Sequence, residues 1–252
     1  MATIKEKIKE IIYNSIPRNL KNFIKQKVFE EHEYFRYMNK SFSQEGEDLI
    51  LSQIFYGINN GFFIDIGAHH PIHYSNTYKF YLSGWKGINI DAMPGCMKEF
   101  NKVRPKDINL EIAISNCNSH LQYFMFEQSG VNTFSNDMAK RMVKNGYTPL
   151  RSIEIQTIKM EEVFQKYLPE NQPISFLSVD VEGYEMEVLR SNNWIDYRPK
   201  ILLAESLKQN NKKMFENIFD QNNYILIAQT INNLFFADLQ SDILLQGLSP
   251  EY

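Results

Sequence analysis

The sequence predicts an α/β fold built on a mostly parallel sheet with one reversed strand near its edge. Three observations carry this. From residue 41 onward, short runs rich in Ile, Val, Leu and Phe alternate with helical segments, the pattern of parallel strands joined by right-handed crossovers. Near the end, the runs 224–230 and 234–239 are separated only by Ile231, Asn232 and Asn233. Three residues are too few for a crossover, so these two strands form an antiparallel hairpin. Finally, 252 residues of which 43% are hydrophobic suffice for a sizeable core in one large domain or two small ones.

Residues 1–40 read as an N-terminal amphipathic helical extension. They hold nine Lys or Arg and five Glu, while Ile4, Ile8, Ile11, Ile12 and Ile16 recur at helical spacing. Pro17 ends that helix, and a second helical stretch, 19–37, carries Phe23, Ile24, Val28, Phe29 and Phe35. Such an extension packs on its own domain or on a second subunit in a homo-oligomer. Its basic amphipathic face also suits peripheral contact with a membrane.

Residues 41–252 form the second domain. Strands are predicted at 61–67, 87–93, 109–115, 121–126, 153–158, 174–181, 200–206, 224–230 and 234–239. Helices are predicted at 44–57, 75–83, 94–103, 159–167, 183–191 and 209–221. The polar stretch 127–151 has no clear periodicity and reads as a lid or substrate insertion, with Asn132, Phe134 and Tyr147 closing over an acceptor.

Charge is nearly balanced, with 27 basic against 30 acidic residues, which argues against a nucleic-acid partner gripped through phosphate neutralisation. Two cysteines, Cys96 and Cys117, make neither a disulfide framework nor a four-thiolate zinc site. No apolar run approaches the ~20 residues of a membrane span, and residues 1–10 lack the apolar core of a signal peptide. The expectation is a cytoplasmic protein.

In open α/β sheets, ligands bind beyond the carboxyl ends of the strands. The first strand ends Phe-Ile-Asp65-Ile-Gly67-Ala68-His69-His70-Pro71. Gly67 allows close backbone approach of a ligand, and Asp65 places a carboxylate at the strand end. The second strand ends Asp91-Ala92-Met93, with Asp91 lying 24 residues after Gly67. That spacing suits a carboxylate accepting from both ribose hydroxyls of an adenosine-containing cofactor. Ala113, on the third strand, leaves room for a flat base. Asp180 and Glu182 bracket the end of a very apolar strand, where unpaired acids are costly. Glu205 ends the next strand. Asp180, Glu182 and Glu205 together offer oxygen ligands suited to Mg²⁺, Mn²⁺ or Ca²⁺. Three of the five histidines, His69, His70 and His73, follow the first strand, giving a candidate general base in His69 or His70 and a candidate metal ligand in His70.

These motifs, taken in order, carry a resemblance. F-I-D-I-G-A-H-H-P (63–71), S-N-T (75–77), Y-L-S-G-W-K-G-I-N-I-D-A-M-P (81–94), N-T-F (132–134) and L-S-V-D-V-E-G-Y-E-M-E-V-L (177–189) resemble the FkbM family of S-adenosylmethionine-dependent methyltransferases. The resemblance implies a class I, Rossmann-like methyltransferase fold with a seven-stranded sheet and a reversed last strand. It also implies O-methylation of sugar or polyketide hydroxyls. By position, Asp65, Gly67 and Ala68 would form the loop at the methionine end of the cofactor. Asp91, with Ala92, would hold the ribose, and Met93 and Ala113 would flank the adenine. Asp180 and Glu182 would be the acidic active-site residues. The sequence departs from the commoner G-x-G loop by placing Ala68-His69-His70 after Gly67.

Such an enzyme must align a hydroxyl with the methyl group and remove its proton. Two routes stand open: a histidine base (His69 or His70), or a divalent metal such as Mg²⁺ or Mn²⁺ on Asp180, Glu205 and His70. The expected acceptor is a sugar hydroxyl, on a nucleotide-linked monosaccharide or a precursor of surface polysaccharide such as capsule. A phosphorylated or phosphoramidate-type molecule and a lipid-linked glycan are alternatives. A nicotinamide-dependent nucleotide-sugar oxidoreductase is disfavoured by the missing G-x-G-x-x-G and by the short reversed hairpin. A non-catalytic nucleotide-binding scaffold is disfavoured by the acids at the strand mouths.

Overall fold

The computed structural model describes residues 17, 19–20, 38–206 and 209–243, with backbone alone at 209–212. The chain divides into two units, Met1–Lys40 and Ser41–Tyr252, and every element named below belongs to the second. The first helix expected before Pro17 lies outside the described residues, as does the helix expected over 19–37 except for residues 19–20, which are helical.

Seven strands form the main sheet: β1 (Phe62–Ile66), β2 (Lys86–Asp91), β3 (Ile108–Glu111), β7 (Phe176–Val179), β8 (Ile201–Glu205), β9 (Tyr224–Gln229) and β10 (Asn233–Asp238). Their order is β3-β2-β1-β7-β8-β10-β9. The first five run parallel, and β10 inserts antiparallel between β8 and β9. The sheet is therefore seven-stranded and mostly parallel, with its last strand reversed.

Successive side chains of a strand face opposite sides of a sheet, and here both sides are apolar. One side presents Ile64, Ile90, Leu177, Leu202 and Phe236 to α5 (Met160–Tyr167), α6 (Glu185–Leu189) and α7 (Gln209–Gln221). The other presents Phe63, Phe176, Leu203 and Phe235 to α1 (Glu47–Ile54) and α2 (Tyr78–Leu82). A further helix, α3 (Met97–Val103), packs Met97 and Phe100 against Ala68 and Cys96. Helices covering both faces explain why the strands read as near-continuous apolar runs.

The run 109–115 is not one strand. It divides into β3, in the main sheet, and β4 (Ala113–Ile114), which leaves it. β4 pairs parallel with β6 (Pro149–Ile158), and β6 pairs antiparallel with β5 (His120–Phe126). The runs 121–126 and 153–158 thus belong to a separate three-stranded sheet. Between β5 and β6, the segment expected to be an irregular lid holds a 3₁₀ turn (Ser129–Val131) and a nine-residue helix, α4 (Asn136–Lys144). Ser135 caps α4 by accepting from the Met138 N–H. Helix α4 buries Met138, Ala139 and Met142 against Phe126, so the insertion has a small core of its own. Tyr147 packs in that core and not over the cleft.

Candidate active site

The chain lays β2 and β3 to one side of β1, then returns to place β7 on the other side. This reversal leaves a crevice at the carboxyl ends of β1 and β7. An open cleft occupies it.

Gly67 forms the cleft floor. Its φ is +83°, and a Cβ there would run into the carbonyl oxygen of Asp180. The β1 and β7 exits thus touch backbone to backbone, which a side chain would prevent. One strand over, Asp91 projects from the end of β2. One carboxylate oxygen accepts from the His69 N–H at 2.8 Å, the other from the Met93 N–H at 2.8 Å. These bonds fix the carboxylate's orientation, and each oxygen keeps a further lone pair. Burial raises the Asp91 pKa, against the pull of those two N–H groups.

Across Gly67, the loop after β7 carries Asp180, Glu182 and Gly183. Glu182 and Gly183 both adopt positive φ (53° and 87°). Glu185, buried at the start of α6, accepts from the N–H groups of Val181 (3.2 Å) and Gly183 (2.8 Å) and so pins the loop. Glu205 enters from the end of β8. Carboxylate oxygens of Asp180, Glu182 and Glu205 lie within 4.8 Å of one another. Burial pushes Asp180 up to about 6, against a hydrogen bond with Glu205 and helped by the charges of Asp65, Glu47 and Asp91, while burial and the neighbouring acids push Glu182 up to about 8 and raise Glu205 furthest of the three. Among the described residues none of the three makes an ion pair.

The outer wall comes from the small sheet and its insertion. Tyr123, Phe134 and Tyr184 form an aromatic row with ring centroids 4.6 and 5.7 Å apart. Thr133 ties the insertion to the acidic loop by donating from its hydroxyl to the Glu182 carbonyl at 2.8 Å. Ser129, in the 3₁₀ turn, meets Nε2 of His69 at 3.1 Å.

Of the residues singled out in the sequence, Gly67, His69, Asp91, Ala92, Met93, Asn132, Phe134, Asp180 and Glu182 line this one cleft. Glu205 is buried behind Asp180. Four others lie elsewhere. Asp65 points to the far side of β1, where it accepts from Thr77 at 2.9 Å in a buried network with Arg104. Ala68 packs against α3. Ala113 points away from the cleft, while its neighbours Ile112 and Ile114 line it. His70 accepts at Nδ1 from the N–H groups of Ile72 and His73, both at 3.0 Å, and directs Nε2 toward Glu99 at 3.7 Å. Its free lone pair is thereby used, and it stands outside the group of Asp180, Glu182 and Glu205.

Sequence reasoning passed over Tyr123, Ser129 and Tyr184 in the cleft wall, since nothing local separates a wall aromatic from a core one. It also passed over Glu47, a fully buried acid of α1 whose charge acts on Asp180. The acid-rich run around Gly46, Glu45-Gly46-Glu47-Asp48, was the available signal.

The family model described as "Methyltransferase FkbM domain" matches residues 65–226. No curated protein matches the sequence. Among solved structures, the C-terminal domain of precorrin-6Y C5,15-methyltransferase from Rhodobacter capsulatus is similar at 10% identity, covering 80% of this chain and 90% of that one, with a TM-score of 0.40.

Proposed function

The chain belongs to the FkbM methyltransferase family, and from that premise we propose that it transfers a methyl group from S-adenosylmethionine to a hydroxyl of a sugar or nucleotide-linked sugar. The observation that carries this reading is the pairing, in one cleft, of Asp91 with the Asp180–Glu182 acids on opposite sides of Gly67. Strands β2 and β7 flank β1, so the two carboxylate sites are two strand spacings, roughly 10 Å, apart. A nucleoside bearing a short side chain spans that distance.

The residues fit the cofactor. Asp91 is fixed by two backbone donors and keeps lone pairs for the two ribose hydroxyls. Ala92 and Met93 continue the wall beside it. When bound, the sulfonium supplies a methyl carbon that needs no further activation. The chain's own task is then to bring a hydroxyl oxygen into line and to accept its proton. Asp180, raised to about 6 by burial, is ionised at neutral pH yet basic enough for that transfer. We assign the proton to the Asp180–Glu182 pair rather than to a histidine. His70 has its lone pair engaged, and His69 faces Ser129 beside Asp91.

The acceptor class follows from the lining. The aromatic row offers flat faces for a sugar ring, and the cleft lining contains neither Lys nor Arg among the described residues. A neutral hydroxyl-bearing group at the reacting end is therefore favoured over a phosphorylated one. Such acceptors place the enzyme in the building of surface glycans such as capsule. Among the described residues no helix is long and apolar enough to cross a membrane.

Calorimetric titration with S-adenosylmethionine and, separately, NAD⁺ tests the assignment. S-adenosylmethionine is expected to bind in the micromolar range and NAD⁺ not to bind. Asp91→Ala removes hydrogen bonds to a charged group worth about 1.5–3 kcal/mol each, so the affinity falls about tenfold or more. Binding of NAD⁺ alone by folded protein, or cofactor binding indifferent to Asp91→Ala, would refute the assignment.

A further inference from the structure

We infer that Asp180, Glu182 and Glu205 form a divalent-cation site beside the hydroxyl-binding end of the cleft. Two separate segments of chain build it: the loop after β7 supplies Asp180 and, from its left-handed turn, Glu182, and the end of β8 supplies Glu205. Their ligand oxygens lie within 4.8 Å of one another. Two oxygens on one ion stand at most twice the metal–oxygen distance apart, about 4.2 Å for Mg²⁺ and about 4.6–5.2 Å for Ca²⁺. The group as it stands matches the larger ion, and closing by about half an ångström matches Mg²⁺.

The second observation is Glu205 itself. Glu205 is 7% exposed, and no donor group among the described residues reaches its buried Oε2; its one polar contact is a hydrogen bond with Asp180, which two carboxylates make only by sharing a proton. A buried carboxylate oxygen left unsatisfied is strongly destabilising unless a proton or a cation meets it. No basic side chain serves. The charged groups acting on the three acids are Glu47, Asp65, Asp91 and Glu185, all acidic. Hard oxygen ligands of this number and charge select hard divalent cations over soft ones.

The functional meaning of the site rests on the methyltransferase reading. Three protein oxygens leave the cation with open positions, which face the cleft through Asp180 and Glu182. Neighbouring hydroxyls of a sugar are ligands of the same hard-oxygen type. The site would therefore select acceptors with adjacent hydroxyls and hold the reacting oxygen beside the cofactor; each carboxylate gives the ion one oxygen, and the second oxygen of Asp180 stays available to accept the hydroxyl proton.

Mn²⁺ titration of the full chain, followed by electron paramagnetic resonance without cofactor or acceptor, tests the site directly. One saturable site per chain is expected, displaced by Mg²⁺ or Ca²⁺. Glu205→Gln and Glu182→Gln should each weaken it about tenfold or more. Glu182 is half-exposed and its side chain bonds no backbone donor, so Glu182→Gln serves if Glu205→Gln does not fold. Absence of a saturable site, or a site that the folded variants bind unchanged, overturns the inference. A parallel S-adenosylmethionine titration in EDTA keeps the two readings apart. Failure there counts against the methyltransferase assignment, whatever Mn²⁺ does.

Discussion

Gly67 shows how much of the site depends on single backbone positions. A residue with a Cβ pays for its left-handed φ of +83°, and that Cβ collides with the Asp180 carbonyl. Neither neighbour can yield cheaply, because both are main chain at the exits of central strands. Gly67→Ala is therefore expected to cost about 2 kcal/mol or more, read as a lower urea midpoint at unchanged slope. An alanine variant as stable as the parent would mean that β1 and β7 do not meet here. The same scale explains which site residues were legible in the sequence. Gly67, Asp91 and Asp180 each stand at a strand end at the mouth of a parallel sheet, and position alone was enough to bring them to one cleft. Asp65 and Ala113 were misplaced by one residue of parity. All five residues of β1 are buried, so its pattern gives no alternation from which to tell the ligand side from the helix side. His70 was misjudged for another reason. The backbone N–H groups that occupy its Nδ1 come from a turn whose shape the sequence does not encode locally.

Helix α1 is held to the terminal hairpin by acids rather than by packing alone. Glu47 accepts from the Asn233 side chain at 2.8 Å, and Glu45 accepts from the backbone and side chain of Asn232 at 2.9 and 2.7 Å. Asn233 is also the register partner of Glu205, so this clasp sets the far wall of the carboxylate group. Glu47→Ala leaves a buried amide donor unsatisfied and is expected to destabilise by about 2–3 kcal/mol. A double-mutant cycle with Asn233→Ala should return a coupling of about 1–2 kcal/mol, whereas additivity would dissolve the clasp. At this scale the helices and the hairpin were legible, because each has a local period or a short connection. The division of 109–115 was not. The chain leaves the main sheet after the Ile112 N–H bonds the Asp91 carbonyl, and a continuous apolar run carries no mark of the sheet each residue joins. The insertion was illegible likewise. The upper half of β6 is exposed, and its pairing with β5 across the whole of α4 is a contact of long sequence separation.

The carboxylates give the molecule as a whole an unusual response to pH. Burial and neighbouring acids raise Asp180 to about 6, Glu185 to about 7, Glu182 to about 8, and Glu205 further. Unfolded Asp and Glu titrate near about 3.9 and 4.3. Between those limits the native state binds more protons than the unfolded chain, so stability falls as pH rises. This is the reverse of a salt-bridged carboxylate, whose contribution is lost on acidification. In EDTA the melting temperature should therefore decline from pH 5 to pH 8. Glu205→Gln should flatten that decline, since it removes a group that stays protonated in the native state across the window. A cation that binds only the native carboxylates competes with those protons. At about 100 times its dissociation constant it adds about 2.7 kcal/mol, or roughly 5–10 °C for a domain of this size. The gain should be large at pH 8, where the acids must otherwise be charged, and small at pH 5, where protons already occupy them. Scanning calorimetry at both pH values, with EDTA or Mg²⁺, reads all four conditions. A Mg²⁺ increment equal at the two pH values would place the ion elsewhere on the protein. A melting temperature flat in EDTA for both parent and Glu205→Gln would mean that the acids are not held in the buried state described.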